Sequence, residues 1–533
     1  MFNPQLIRRG VPTILLAFLA LPAAAQSFRV QCPTHTTLHP LVNGLPNPHI
    51  KCQQISGGDG FATMGDGTQT YMFSFGPLSG LAEIVNGRPG TVTAADFNQS
   101  NLDASGNVLD AVKIGAPDGA GYPFNGAIGL VPDVEAQNGN IPPQPTTGPN
   151  SPPTLSPAAW AQQHALLTGH VDPRLVMDVG VMNGNIPAPM IAIDEGDELF
   201  LTLTNVGMVM RPDLFEQHTV HFHGYPNASA FYDGVPDASV AINIGGSFTY
   251  YYLAPEAGTY MWHCHISPPE HLQMGMVGQL YVRPRQNAVA PGASLYAQLS
   301  TDQGDVSKKC DRTDMLCSAQ LPPAANSVVR VATKQYAYDD GDGSTAFDVE
   351  YPIQMHGFDP NFHFVGMTFN PESFADNKDK YFLLNGRSYP DTINAAPLST
   401  QATDGTPHFS QPLNTVINIP AGGKALLRFS DLNVTEFHTL ASLGIKMHVI
   451  GLNARLLRDQ DGNNMDYYTN SITLGGGETI DVILDATGIA AGQKFYLYTP
   501  QLDHLSNDAE NFGGMMTEVN VCNAVDPTTK KCS

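Results

Sequence analysis

The sequence predicts an all-β protein, two tandem Greek-key β-sandwiches behind an irregular N-terminal extension. Three observations predict it. Gly (51) and Pro (42) are abundant in the 533 residues, which suits tight turns between short strands and disfavours long helices. Apolar residues alternate in short runs bounded by Gly-containing turns, the period-2 pattern of half-buried strands. The set of runs occurs twice, in blocks of ~150–200 residues, so two related sandwiches are expected.

Each segment follows in order. Residues 1–25 read as a secretory signal peptide: Arg8-Arg9, an apolar stretch from Val11 to Leu21, and small residues Ala23-Ala24-Ala25. The compartment expected is periplasmic or extracellular, where disulfides persist. Residues 26–157 form the expected extension, with strand-like Tyr71–Phe75 inside it and eight prolines in 132–157 marking a linker or arm. Residues 158–290 form the first sandwich. It holds Pro189–Thr204 around an acidic Gly turn, then Ser247–Leu253 and Thr259–Trp262 around a second turn. Residues 291–325 link it to the second sandwich, 326–525, and residues 526–533 are a tail. There Thr415–Pro420, Gly422-Gly423 and Ala425–Phe429 resemble the run around Asp194–Asp197, while Ile472–Leu484 and Lys494–Tyr498 complete the repeat.

Composition excludes several functions. A net charge of −23 gives no basic footprint for nucleic acid or anionic lipid. No later apolar run approaches the ~20 residues of a membrane span.

The chemistry concentrates in two short segments of the first sandwich. One is His218-Thr-Val-His221-Phe-His223-Gly224; the other runs Trp262-His263-Cys264-His265, then His271, Met274 and Met276. Alternation on a strand puts His221 and His223 on one face. In the second segment His263 and His265 face one way and Cys264 the other, towards the core. The following loop brings round His271 and Met276. A thiolate, two imidazoles and a weak thioether are the ligands of a blue-copper site. Zinc also takes Cys and His, but a thioether and imidazoles facing opposite ways favour copper. Met276 fits the axial place better than Met274.

These motifs resemble the multicopper oxidases, the laccase-like family. The resemblance covers roughly residues 170–520 as two cupredoxin domains. It implies that His218, Cys264, His271 and Met276 hold type 1 copper and that His221, His223, His263 and His265 are ligands of a trinuclear cluster of type 2 and type 3 coppers. It further implies a small-molecule or metal-ion reductant that gives electrons to type 1 copper near His271, whose imidazole edge is expected nearest solvent. Cys264, His263 and His265, the catalytic residues on this reading, would carry electrons to the cluster, where dioxygen becomes water. Glu270 and Asp237 are the candidate acids by nearness in sequence. The loop from His265 to His271 is two residues longer than the family's and contains Pro268-Pro269.

The family builds its cluster from eight imidazoles, four per domain, and the second domain departs from that pattern. Glu436-Phe-His438-Thr-Leu-Ala441-Ser-Leu443-Gly444 falls where a His-rich motif would stand, with Ala441 and Leu443 at ligand places. Tyr498-Thr499-Pro500-Gln501, then His504 and Met515-Met516, falls where His-Cys-His would be. The second domain is therefore expected to be scaffold. Three outcomes remain open: His35, His39 and His49 fold over the half-site; a second chain completes it in a homo-oligomer; or the cluster is reduced. The last leaves a blue-copper electron-transfer or copper-binding protein without oxidase activity, or a nitrite-reductase-like enzyme. Copper nitrite reductases resemble the chain in fold but carry Asp where His221 stands and lack the second His of His-Cys-His.

Without Cys264, near-neighbour pairing of the other six cysteines gives Cys32–Cys52, Cys310–Cys317 and Cys522–Cys532, each outside the sandwich cores. Asp339–Ser344 reads as a solvated turn rather than a calcium loop, because no acid stands at the twelfth position. His356 and His363 lack ligand spacing. Met208, Met210 and Met261 are expected to pack.

Overall fold

The computed structural model describes residues 30–98 and 184–533, apart from 81–82, 85, 209, 212–213, 225–228, 305–326, 368–372 and 402–406. The signal peptide, the Pro-rich arm at 132–157 and the Cys310–Cys317 pair lie outside the described residues. Among the described residues no helix is long and apolar enough to cross a membrane.

The first sandwich uses β1 (Ile50–Thr63), β2 (Gln69–Pro77), β3 (Val92–Thr93), β4 (Ile191–Asp194), β5 (Glu198–Gly207), β6 (His221–Phe222), β7 (Ser247–Leu253), β8 (Gly258–His263) and β9 (Val277–Arg283). One sheet has the order β2-β1-β5-β7, with β3 on β1; the other is β4-β9-β8-β6. Three strands thus come from the segment expected as an extension. Their pairing explains the difference: β1 runs parallel to β5 from Ile50 opposite Glu198 to Gly57 opposite Asn205. The chain leaves this sheet after β3 and returns with Gly184 N–H on the Asp59 carbonyl at 3.1 Å.

The acidic Gly turn at 195–197 does not make a hairpin. β4 pairs in parallel with β9 in one sheet, whereas β5 pairs with β1 and β7 in the other. The chain turns a corner between layers, and the turn between β7 and β8 does the same. Each layer therefore contains a parallel pair. Leu199, Leu201 and Leu203 of β5 enter the core with Phe73, Phe75, Trp262 and Leu280. On the other face of β5, Thr202 and Thr204 pair their hydroxyls with Thr249 and Ser247 at 2.8 Å, so these buried polar groups are satisfied.

The second sandwich repeats this topology. Short β10 (Gln335–Tyr336) and β11 (Ala346–Phe347) precede β12 (Val349–Phe358) and β13 (Tyr381–Leu384). The hairpin β14 (Leu398–Gln401) and β15 (Pro407–Gln411) leads into β16 (Ile417–Pro420), β17 (Lys424–Asp431) and β18 (His438–Leu443). After these come β19 (Met447–Leu452), β20 (Arg455–Leu456), β21 (Tyr467–Thr469), β22 (Ser471–Leu474), β23 (Thr479–Asp485), β24 (Lys494–Tyr498) and β25 (Met516–Cys522). The layers are β13-β12-β17-β23-β19-β20, with β21 on β19, and β16-β25-β24-β18-β22. Strand for strand, β13-β12-β17-β23 corresponds to β2-β1-β5-β7 and β16-β25-β24-β18 to β4-β9-β8-β6, parallel pairs included.

The domains meet across β8, β9 and the first layer of the second sandwich. Thr259 Oγ1 donates to Asp481 Oδ1 at 2.6 Å, Thr479 Oγ1 to the Thr259 carbonyl at 2.7 Å, and Gln279 Nε2 to the Arg428 carbonyl at 2.9 Å. Glu350 joins Arg283 of the first domain at 2.6 Å to Arg428 of the second at 3.1 Å. Against burial, which raises it, the two guanidiniums hold the Glu350 carboxyl at about 2.

Cys32–Cys52 and Cys522–Cys532 form as disulfides, and Cys264 is free and buried. Cys52 and Cys522 lie on strands β1 and β25, so each bridge ties a peripheral segment to a sheet rather than standing apart from it. The Asp339–Ser344 turn is not a solvated one. Asp340 is buried and accepts from Gln286 Nε2, Gly343 N–H and Thr345 N–H, while Asp339 pairs with Arg285.

Candidate metal centre

The register of β6 and β8 builds the centre. His221 stands opposite His263, and Phe222 opposite Trp262. Beyond β8, Cys264 N–H donates to the Met276 carbonyl at 3.1 Å, and His265 N–H to Thr219 Oγ1 at 2.9 Å. The longer loop forms one helical turn, α1 (Pro268–Gln273), with both prolines at its first positions, where a missing N–H costs nothing. Gly275, at φ +109°, reverses the chain after α1 into β9. Met276 N–H then reaches back to the His271 carbonyl at 2.8 Å. Insertion of two residues has therefore kept His271 and Met276 beside Cys264.

Among the described residues two groups bring three His, Cys, Asp or Glu donors together: His218, Cys264 and His271, and His221, His223 and His263. Within each, the donor atoms lie within 4.8 Å of one another. In the first, Cys264 Sγ lies 3.2 Å from His271 Nδ1 and 4.0 Å from His218 Nδ1. Thr219 N–H points at the same sulfur from 3.4 Å. All three side chains and Met276 are fully buried. Burial raises the Cys264 thiol, but the charges and hydrogen bonds of His271 and His218 win and put it well below its ordinary range. Burial, with a smaller push from the charge of His271, takes His218 down against the pull of Cys264. This is a thiolate site, and the soft donor set fits copper. Met274 is equally buried and sits on the N-terminal side of the Gly275 reversal, whereas Met276 lies beyond it and leads directly into β9.

His271 departs from expectation. Its edge does not face solvent: it is fully buried, with Phe73 edge-on at 5.0 Å. Outside it stands Glu216, whose Oε2 is 3.8 Å from His271 Nε2 and whose carboxyl is lowered, first by its interaction with His271. Gly57 of β1 lies under His218, where a Cβ would fall 2.6 Å from its Cδ2.

In the second group His223 Nε2 and His263 Nε2 are 3.0 Å apart. His221 Nδ1 donates to the Asp233 carbonyl at 2.7 Å and His263 Nδ1 to the Cys264 carbonyl at 2.6 Å, so both rings turn Nε2 inward. Burial and neighbouring imidazoles lower His223 to about 4 and His263 to about 3, leaving both neutral donors at pH 7. His265 lies beside this group, its ring 4.9 Å from His221. The second domain touches the group through the turn between β22 and β23: Gly477 has φ +96°, and a Cβ there would meet His223 Nδ1 at 3.1 Å.

Of the proposed acids, Glu270 does not adjoin the second group of imidazoles. Glu270 is on α1, on the Cys264 side, with His271, Glu216 and Arg211 as its charged neighbours, and Asp237 is exposed. Asp233 stands there instead, its Oδ1 3.6 Å from His221 Nδ1. His39 and His49 do not fold over the site. They pair with Glu198 and Asp197 at 2.8 Å, at the start of β5. His218 is at the other end of that strand, roughly 23 Å away at about 3.3 Å per residue. Met208 and Met261 are buried, whereas Met210 is exposed.

Sequence reasoning passed over His356 and His363, both buried between the domains. His356 Nε2 donates to the Leu272 carbonyl at 2.8 Å, and His363 Nε2 faces the Gln273 carbonyl at 3.0 Å. Gln273 Nε2 donates to Asp379 Oδ1 at 2.9 Å. The second domain thus grips α1, the helix that carries His271. Glu216 had a visible signal: Glu-x-His-Thr occurs at 216–219 and again at 436–439.

The family model described as multicopper oxidase matches residues 168–287. Over 127 residues the chain is 33% identical to laccase abr2 of Aspergillus fumigatus, covering 24% of this chain and 19% of that laccase. It is 23% identical over 317 residues to copper resistance protein A of Pseudomonas syringae pv. tomato, covering 58% of this chain and 43% of that one. The chain thus spans less than half the length of either curated relative. Among solved structures it is similar to the blue copper oxidase of Nitrosomonas europaea, at 21% identity and a TM-score of 0.42, covering 64% of this chain and 79% of that one. The stretch that this family model matches contains both histidine-rich segments of the candidate centre, His218–Gly224 and Trp262–Met276.

Proposed function

We propose that the chain is an exported copper-dependent oxidoreductase that takes single electrons from a small-molecule or metal-ion reductant. On this reading His218, Cys264, His271 and Met276 hold one copper, and His221, His223, His263 and His265 are ligands of a second copper group. The observation that carries it is the buried Cys264 sulfur facing two imidazole Nδ1 atoms at 3.2 and 4.0 Å, on the same strand end as the second set of imidazoles. Copper supplies one-electron chemistry at the thiolate site and, at a completed cluster, the reduction of dioxygen to water.

The chain's own residues supply the rest. Cys264 sits between His263 and His265, so one stretch of backbone joins the two groups. Thr219 N–H, aimed at the sulfur, stabilises its negative charge. Glu216 is the acid between His271 and solvent, and a reductant docking there meets a carboxylate before it meets the imidazole. Asp233 fixes His221 and is the carboxylate best placed to hold a proton beside the imidazoles.

The register of the second sandwich favours one further reading. Ala441 stands opposite Tyr498 where His221 stands opposite His263. The second domain of the same chain therefore offers no matching imidazoles at these places, and either a second copy completes the cluster or the protein transfers electrons without reducing dioxygen. Copper per chain, mass in solution and dioxygen uptake during oxidation of a phenol or metal ion separate the two. An oligomer with more than one copper per chain and stoichiometric uptake supports the oxidase. A monomer with one copper and no uptake leaves the electron-transfer protein.

A further inference from the structure

The second domain retains the frame of a thiolate copper site without the thiolate. Thr499 N–H donates to the Met515 carbonyl at 3.0 Å, as Cys264 N–H does to Met276. Met515 N–H donates to the His504 carbonyl at 3.0 Å, as Met276 N–H does to that of His271. His438 pairs with Leu474 across β18 and β22, as His218 bridges Ile242. Glu436 Oε2 lies 2.9 Å from His504 Nε2, in the place of Glu216 beside His271. Ring centroids of His438 and His504 are 5.7 Å apart, against 5.4 Å for His218 and His271. Phe382 covers His504 as Phe73 covers His271.

Chemistry at the centre of this frame has changed. Thr499 replaces the cysteine, and Asp431 occupies the register position of Asn205, on the strand that pairs in parallel with β12. Its Oδ1 is 3.3 Å from His438 Nδ1, and its Oδ2 is buried without a hydrogen bond. His504 Nδ1, the counterpart of the nitrogen that faces Cys264, is likewise buried without one. His438, His504, Thr499, Met515 and Asp431 are all at most 1% exposed. A buried imidazole nitrogen and carboxylate oxygen left without partners cost free energy unless a ligand satisfies them.

We propose that this pocket is a further, colourless metal site that takes copper(I) through His438, His504 and Met515, with Asp431 as its counter-charge. Two imidazoles and a thioether suit a soft, low-coordinate ion. Thr499 provides no thiolate, so no blue charge-transfer band is expected from it.

The test is anaerobic titration of the full-length apoprotein with copper(I) against a chromogenic copper(I) chelator. His504→Gln is expected to take up one copper(I) fewer per chain than the parent, and Met515→Leu to bind that ion at least tenfold more weakly. Cys264→Ala should keep the site, which separates it from the copper centre of the first domain. Equal copper(I) uptake by the parent and by His504→Gln of unchanged circular dichroism overturns the proposal, as does a pocket filled by zinc but not by copper(I). Thr499→Cys in the Cys264→Ala background provides an independent readout. Loaded with copper(II), it should regain an intense blue absorption. A folded, colourless product would mean that the two imidazoles do not converge on position 499, and would also overturn the assignment.

Discussion

The two sandwiches share every strand of the frame and differ in what stands on it. At the facing positions of β6 and β8 the first domain has His221 and His263; at those of β18 and β24 the second has Ala441 and Tyr498. Cys264 is matched by Thr499, and Asn205 by Asp431. Strand pairing is set by backbone hydrogen bonds and by which face is apolar, so it survives the exchange of ligand side chains. The frame is therefore the more durable property, and the metal chemistry is a pattern of side chains laid over it.

Four substitutions would break or sharpen this contrast. The largest effect belongs to Cys264→Ser, expected to abolish the blue absorption and substrate oxidation while leaving the unfolding midpoint of the second domain unchanged; retained colour would mean that Cys264 is no ligand. Next is Glu350→Gln. Arg428 is fully buried, and removing the nearer of its two carboxylate partners, with Asp481 left at 3.8 Å, should cost about 3 kcal/mol, read as a fall in the thermal midpoint. The same group predicts acid behaviour. Its carboxyl titrates near 4.5 unfolded and about 2 folded. Its contribution, about 3 kcal/mol, is present above pH 4.5 and is lost as pH falls towards 2; the Gln variant should lack that step.

A smaller effect is expected from His356→Phe, which leaves the Leu272 carbonyl with the Gly275 N–H as its remaining donor and removes a buried ring, at a cost of about 1–3 kcal/mol. Because α1 carries His271, the blue band should shift as well as the midpoint, and an unshifted spectrum would mean that the second domain does not position the ligand. Smallest is Gly477→Ala. A left-handed backbone with a Cβ at 3.1 Å from His223 Nδ1 should cost about 1–2 kcal/mol and lower copper content at the imidazole group only.

Much of the centre was legible because it is local. His218 to His223 and His263 to Met276 are two short segments whose spacing alone carries the pattern, and the structure brings their donors together. What escaped acts at long range or from irregular chain. His356 and His363 touch α1 across some 84 to 90 residues of sequence, so no spacing announces them. Asp233 and Glu216 lie in loops, where no periodicity places a side chain. Strand β1 was hidden by composition. Gly57-Gly58-Asp59-Gly60 reads as a turn, yet the strand continues through it, with a register shift against β5 between Gly57 and Gly58 and with Gly57 making room for His218.

That hidden strand bears on where the domain begins. A unit cut at residue 168, where the recognisable stretch starts, would divide a sheet between its second and third strands and strip Phe73 and Gly57 from the two buried imidazoles. The covalent chain between Asn98 and Gly184 is not what joins the halves of that sheet; the ladder from Ile50 to Gly57 against β5 is. Cleaved between those two points, the protein should behave as a two-piece molecule held by its own hydrogen bonds, whereas a fragment lacking 30–98 would present an open sheet edge to its neighbours.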